Sequence, residues 1–502
     1  MSLLDRLGSL FKGPEELNLT SGDIARPLFY LSLPIVITNL LQTAYNLADT
    51  FWLGQYSTEA LAAISFAFPM VFLLISLGMG LSVAGSVLVA QHTGAGEPDK
   101  AEYAASQTVV FAILGSILLG AFGYYAVGPF IGFLGASPDV LPLATGYMQV
   151  ISVGMPFMFG FFVFIALMRG YGDTITPMLV MFGSVVLNIV IDPFLIFGWT
   201  VVENAPLVGT LSFPELGIQG AAIATVFSRG LAMLVGLAIM LSGTRGIQIN
   251  VADMKPDLQY LRKILRIGLP ASVGGTGRAL SINALLIVVG LFSTSVVAAF
   301  GIGTRVFSVI FLPAVAVARG VETMTGQNVG ASKYDRAQEA NYVAAKGLFG
   351  VLGIVGVAIF FVPTPIISVF SNDPEVIEIG AEFLRYVALS FGFIGIQRTF
   401  AGGFRGSGKT LIAAAISITT LALIRLPIAY VASRGVLPTD LWFLGQPDVR
   451  GIWIAFFVSN VAGAIIAWLW FRRGTWRDGG VRDTGGHSEL EADDPDPAVG
   501  DD

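Results

Sequence analysis

The sequence predicts an all-α integral membrane protein: twelve transmembrane helices in two pseudo-symmetric six-helix lobes around a central cleft. Three observations carry that expectation. The 502 residues are 54% hydrophobic and only 12% charged, against about 25% charged in a soluble domain, and a mean hydropathy of +0.76 calls for lipid as solvent. Apolar segments of about 20 residues, enough to cross ~30 Å of hydrocarbon as a helix, recur along the chain. The sequence also repeats itself at one fixed offset.

In chain order the spans fall near 28–54, 60–90, 102–126, 142–168, 175–199, 218–242, 264–290, 296–326, 338–362, 376–402, 411–433 and 451–471. Loops after even-numbered spans carry Lys100, Arg169, Arg245, Lys255, Arg262, Lys263, Lys333, Arg336, Arg405 and Lys409. Loops after odd-numbered spans carry no Lys or Arg until the last, with Arg434 and Arg450. Basic residues favour the cytoplasmic side, so both termini are expected in the cytoplasm of a multi-pass plasma-membrane protein.

The expected organisation follows. Residues 1–25 form a cytoplasmic N-terminal segment without the apolar core of a cleavable signal peptide. The N-terminal lobe is 26–242 (spans 1–6), a cytoplasmic linker is 243–260, and the C-terminal lobe is 261–472 (spans 7–12). Residues 473–502 are an acidic tail. The stretch 478–502 holds nine acids and one base, leaving 25 acids against 27 bases elsewhere, so the net charge of −6 belongs to the tail. Its Gly, Asp and Pro content marks it as disordered and solvated. With seven Lys against 21 Arg, it suits a prokaryotic, haloarchaeal cytoplasm.

Shifted by 236 residues, Pro34 meets Pro270, Gly54 meets Gly290, and Ser57-Thr58 meets Ser293-Thr294. Gln91 meets Gln327, Gly94 meets Gly330, and Arg169-Gly170 meets Arg405-Gly406. Six spans is an even number, so both halves share one orientation and are related by an axis along the membrane normal. Two such halves imply a cleft between them and a rocking motion.

The repeat also disposes of a motif. Gly403-Phe-Arg-Gly-Ser-Gly-Lys-Thr410 fits the phosphate-loop pattern G-x-x-x-x-G-K-[ST]. Its first-half counterpart, Arg169-Gly-Tyr-Gly-Asp-Thr174, lacks the lysine. An apolar helix rather than a strand precedes the motif, and another span follows. A tight cytoplasmic turn is expected there, with no nucleotide. There is no cysteine, and His92 and His487 both lie in polar stretches, so thiolate and histidine chemistry are not expected. No HExxH or GxSxG is present either. The expectation is no enzyme, no cofactor and no nucleic-acid partner, with lipid and a small organic substrate as partners of a monomer.

Ionisable groups inside a span cost at least ~2.5 kcal/mol and are functional candidates by default. Span 1 carries Gln42, Tyr45, Asn46 and Asp49 at helical spacing, a polar stripe on one face. Span 5 carries Asn188 and Asp192, four apart, followed by Pro193, which frees the carbonyl of Ile189. At the repeat offset Asp49 faces Leu285 and Asp192 falls at Ile428, so the architecture does not need these acids. They are read as a cation-coupling pair, with helix-to-helix struts as the alternative. Two carboxylates in one dehydrated pocket repel each other, which favours a shared proton; with amide and carbonyl oxygens nearby, Asp49, Asp192 and Asn188 could instead hold Na⁺. The second half carries Arg278 in span 7 and Arg425 in span 11, with Arg305 and Arg385 also inside spans. These arginines either bind an anionic group or pair with backbone carbonyls and with acids such as Glu322 or Glu382.

Residues 25–472 resemble the multidrug and toxic compound extrusion (MATE) family. The resemblance rests on the Pro34 helix with Asn46 and Asp49, Gln91-His-Thr-Gly-Ala-Gly96, Arg169-Gly-Tyr-Gly-Asp-Thr174, Asn188 to Pro193, and Gly220-Ala-Ala-Ile-Ala-Thr225 in span 6. It implies an antiporter that exports organic compounds against entry of H⁺ or Na⁺. In the archaeal and DinF-like branches the coupling site falls, by motif position, on Asp49, Asn188, Asp192 and Thr225, and Pro34 matches the proline at which span 1 bends. The NorM-like branch adds acids in spans 7 and 10. Here the middle of span 7 offers Arg278, and Glu378 and Glu382 lie toward the outer end of span 10, so the chain sides with the N-lobe-coupled type. Gln42, Tyr45, Arg278 and Arg425 are its cleft candidates. The alternative within the same superfamily is a flippase for a lipid-linked or phosphorylated anion.

Overall fold

The computed structural model describes residues 18–205, 209–434 and 449–479. Ten single helices and two bent pairs are long and apolar enough to cross a membrane, which gives twelve spans. Span 1 is Ala25–Tyr56, span 2 Thr58–Ala95, span 3 Pro98–Phe133, span 5 Ile175–Phe197 and span 6 Ile218–Ser242. In the second lobe, span 7 is Leu258–Val289, span 8 Thr294–Gly330, span 9 Tyr334–Phe361, span 11 Thr410–Arg434 and span 12 Arg450–Arg472. Large apolar side chains such as Leu118, Ile287, Ile354 and Phe361 stay exposed along these helices, as an apolar solvent requires.

Spans 4 and 10 are broken. Span 4 is Val140–Val153 plus Met155–Tyr171, bent by 55°, and span 10 is Pro374–Ala388 plus Phe391–Gly406, bent by 52°. The breaks at Gly154 and Ser390 are one repeat offset apart. Pro156, in the first turn after Gly154, has no N–H for the ladder. At the other break Asn460 Nδ2 donates to Ser390 Oγ at 2.8 Å. Span 11 contains a π-helical stretch, Thr419–Arg425, which ends on the buried arginine.

The repeat is visible in the caps. Ser57 Oγ accepts from Ala60 N at 3.0 Å and Ser293 Oγ from Val296 N at 3.4 Å, opening spans 2 and 8 alike. Gly172 and Gly408, also one offset apart, close the turns after spans 4 and 10 with φ of 113° and 80°, where an L side chain is strained. Gly406 packs its backbone on Glu322 O as Gly170 packs on Ser86 O. The glycines of the phosphate-loop pattern therefore serve helix packing and a left-handed turn, in a helix–turn–helix rather than a strand–loop–helix.

Outside the spans, β1 (Trp199–Ala205) and β2 (Gly209–Phe213) form an antiparallel hairpin between spans 5 and 6, which composition did not announce. The linker is tied to span 3: Gln107 Nε2 donates to the carbonyls of Asp253 (2.6 Å) and Lys255 (2.7 Å), and Tyr103 Oη to Asp257 Oδ2 (2.9 Å).

The boundary expected at 473 moves outward, because Trp476 is fully buried and stacks on Phe471 at 4.9 Å; the remainder of the acidic tail, from 480, lies outside the described residues. Trp476→Ala is expected to cost about 3 kcal/mol, as for a large aromatic removed from a packed site. The check is a lowered thermal midpoint of the purified protein, with a stop after Gly479 leaving it unchanged.

Candidate functional site

Spans 1, 5 and 6 bring the N-lobe candidates together. Asp49 is 5% exposed, Thr225 4%, and Asn188 and Asp192 are fully buried. Asp49 and Asp192 are neighbours in this pocket, each acting electrostatically on the other. Asn188 Nδ2 donates to Asp192 Oδ1 at 3.1 Å, and Tyr45 Oη donates to Thr225 Oγ1. Asp49 Oδ1, Asp192 Oδ2 and Asn188 Oδ1 are enclosed without any donor. Ionised carboxylates only accept, so two buried neighbours whose oxygens lack donors are completed by a proton or a metal cation. No cluster of three or more His, Cys, Asp or Glu occurs among the described residues, so a metal here relies on Asn188 and Thr225 oxygens beside the two acids.

Other candidates are placed differently. Gln42 and Tyr45, read as cleft residues, are engaged by Arg229 of span 6. Its Nη2 donates to Gln42 Oε1 at 2.7 Å, and its guanidinium lies 4.7 Å from the Tyr45 ring centre. Arg229 is 2% exposed and acts electrostatically on Asp49. Sequence reasoning passed over it, although a lone charge in an apolar span was the signal. Asn46 is exposed and accepts from Gln42 Nε2 at 3.1 Å. Pro34 is buried within a helix that runs unbroken from Ala25 to Tyr56.

The C-lobe arginines divide into two kinds. Arg425 is satisfied: its Nε donates to Ser459 Oγ (2.9 Å), its Nη2 to Asn460 Oδ1 (2.7 Å), and its guanidinium sits 4.1 Å over Phe456. It is a strut between spans 11 and 12. Arg278, by contrast, lines a cavity of about 90 Å³ with Arg319, Arg398 and Arg405. Glu322 pairs with Arg319 (3.0 Å) and Arg405 (2.8 Å), and Glu382 pairs with Arg450 (2.8 Å). Arg405, counted above as a loop charge, is thus inside the bundle. Arg305 and Arg385 are exposed.

Hydrogen bonds between the lobes gather toward the end that carries the chain termini. Gln91 Nε2 donates to Gly406 O at 3.0 Å; its repeat partner Gln327 donates to Gly170 O (3.2 Å) and Tyr171 O (2.9 Å). Asn328 holds Leu19 O at 2.9 Å, and Arg336 grips the carbonyls of Ser21, Gly22 and Asp23. Above this seal a cavity of about 230 Å³ lies between the lobes, lined by Asn39, Met79, Phe162, Arg169 and Arg319 among others.

A model of the MatE family matches residues 34–194 and 276–431, one stretch in each lobe and more than half the chain. The chain belongs to the MatE family. Among MATE relatives, it is 30% identical over 455 residues to a protein of Shewanella oneidensis named FAD transporter, covering 91% of this chain and 96% of that one. It is 28% identical over 463 residues to the probable multidrug resistance protein NorM of Thermotoga maritima, covering 90% and 93%. Among solved structures, a MOP superfamily transporter from Pyrococcus furiosus, described as having a binding pocket of reverse polarity, superposes with a TM-score of 0.77 at 26% identity, covering 92% of this chain and 98% of that one. An outward-facing multidrug resistance MATE transporter superposes at 0.78 with 25% identity over the same shares. This MATE chain is therefore a multi-pass membrane transporter of an efflux family, not an enzyme.

Proposed function

We propose that the protein is an antiporter that exports organic molecules in exchange for a cation, bound between Asp49 and Asp192 with Asn188 and Thr225 beside it. The observation that carries this reading is the pair of buried neighbouring carboxyls, Asp49 and Asp192, with an oxygen on each that finds no donor. H⁺ is the favoured cation, because one O–H supplies a missing donor without recruiting further ligands. In this reading the sealed end is the cytoplasmic one, so both termini are cytoplasmic, the cation enters from the opposite side, and substrate leaves through the cleft as the lobes rock. One chain contains both lobes and the whole path, so a monomer suffices.

Arg229, buried against Tyr45 and acting on Asp49, offsets part of the charge of the two acids, which favours a single monovalent cation as the load. One proton per substrate molecule is the expected exchange, read as the pH gradient at which flux through proteoliposomes reverses. Substrate efflux driven by an imposed ΔpH or ΔNa⁺ tests the reading as a whole; equal flux with and without either gradient would remove it.

The arginine-lined cavity favours a second reading, a carrier or flippase whose substrate is a phosphorylated or lipid-linked anion. A relative named as an FAD transporter fits that reading because FAD carries a diphosphate.

A further inference from the structure

Each lobe carries intramembrane charges that its repeat counterpart lacks. The acids Asp49 and Asp192 stand in the N-terminal lobe, where the repeat partners are Leu285 and Ile428. The arginines Arg278, Arg319 and Arg398 stand in the C-terminal lobe, where the repeat partners are Gln42, Val83 and Phe162. The shared fold needs none of them.

Around the 90 Å³ cavity, four guanidinium groups come from spans 7, 8 and 10, and the only acid that pairs with any of them among the described residues is Glu322. Glu322 is occupied twice, by Arg319 and by Arg405. Arg278 and Arg398 are left with their Nε atoms enclosed and without an acceptor. The charges acting on Arg398 are those of Arg278, Arg405, Arg425 and Arg319, all of its own sign; its guanidinium lies 4.3 Å over the Phe311 ring. Both side chains are half-buried and line the cavity, and like charges gathered around one space without a facing acid favour an anion there.

We propose that this cavity binds the phosphoryl or diphosphoryl group of the exported molecule, with Arg278 and Arg398 as its forked donors. Guanidinium pairs bidentately with phosphate oxygens, which fixes both position and charge. The space, about 90 Å³, admits a phosphoryl group. Met79, Val83, Val315 and Arg319 line both this cavity and the 230 Å³ cavity between the lobes. The head enters the arginine cavity, and the apolar remainder lies in the larger one. The inference rests on the reading of the chain as an exporter and names the substrate class.

The test is binding rather than flux, so its failure is separable from failure of the coupling reading. Purified full-length protein is titrated with inorganic pyrophosphate and with ADP, followed by thermal midpoint and calorimetry. In parallel, it is placed in lipid nanodiscs of phosphatidylcholine with and without phosphatidic acid. Expected is a rise in midpoint with the soluble probes, with phosphatidic acid, or with both; which arm responds distinguishes a soluble phosphate from a lipid headgroup.

Arg278→Gln and Arg398→Gln are each expected to weaken binding about tenfold or more, while raising the midpoint of the ligand-free protein by removing an unpaired charge. Arg278→Lys, which keeps charge but not the fork, should recover part of the affinity. Gly350→Ala, where an added Cβ meets nothing within 4 Å, should bind as the parent does. No stabilisation by either probe or by the anionic lipid, or unchanged affinity in both Gln variants, overturns the proposal.

Discussion

Asp49→Asn is expected to reduce cation-driven efflux to the level of empty vesicles while leaving the protein folded and at least as stable. The reasoning starts from the hydrogen-bond inventory of the pocket. Asp49 and Asp192 are buried neighbours, and neither Asp49 Oδ1 nor Asp192 Oδ2 has a donor. A buried acceptor without a partner costs about 1–3 kcal/mol. Asparagine has the same shape and a permanent N–H₂, so it supplies the donor that a proton supplies in the native pair. The variant is thereby fixed in the cation-loaded state and has nothing to release. Asp49→Ala separates chemistry from packing: it also ends coupling, but it leaves Asp192 facing a void and should lower the thermal midpoint. Substrate binding, measured without any gradient, should persist in both. Wild-type ΔpH-driven efflux by Asp49→Asn would sink the coupling site.

The acid pair was legible because two independent signals agreed: charge inside a span and the absence of that charge from the repeat partner. The arginines were only partly legible. Arg405 was assigned to a loop because apolar composition ends span 10 near 402, whereas the helix continues to Gly406 and carries the side chain into the bundle. Arg319 and Arg398 fall inside spans and met the same criterion as Arg278. Their significance depends on how many of them share Glu322, which spacing along one helix does not reveal.

Gln42 and Tyr45 show the limit of periodicity. The stripe on span 1 exists, but periodicity names a face and not its neighbour, and Arg229 from span 6 occupies that face. The span boundaries were readable from hydropathy to within a few residues at most ends. The breaks in spans 4 and 10 were not, because both sides of each break are equally apolar. Nor was the π-helical stretch of span 11, which is a change of hydrogen-bond register rather than of composition.

Gly94→Ala combined with Gly330→Ala is expected to open the seal at the termini end. These glycines are one repeat offset apart and sit where spans 2 and 8 cross. A Cβ on Gly94 would lie 1.9 Å from Gln327 O, and one on Gly330 1.9 Å from Gln91 O. Both obstacles are backbone, so no rotamer change relieves them, and the two helices must separate. Overpacking of this kind costs about 1–3 kcal/mol per site, and every 1.4 kcal/mol is roughly tenfold in a population ratio. Complete reversal of a 1:99 equilibrium needs about 5.5 kcal/mol, so the double variant falls near that range and each single variant gives an intermediate shift. The close crossing belongs to the sealed state, so the cost is expected to fall there. The chain has no cysteine, so spin labels on Lys100→Cys and Lys333→Cys, both exposed and in different lobes, report the separation directly. A longer distance in the double variant is the expected result, with Gly350→Ala, where an added Cβ meets nothing within 4 Å, as the unchanged control. An identical distance distribution in all three proteins would mean that the close crossing of spans 2 and 8 is not what keeps this side shut.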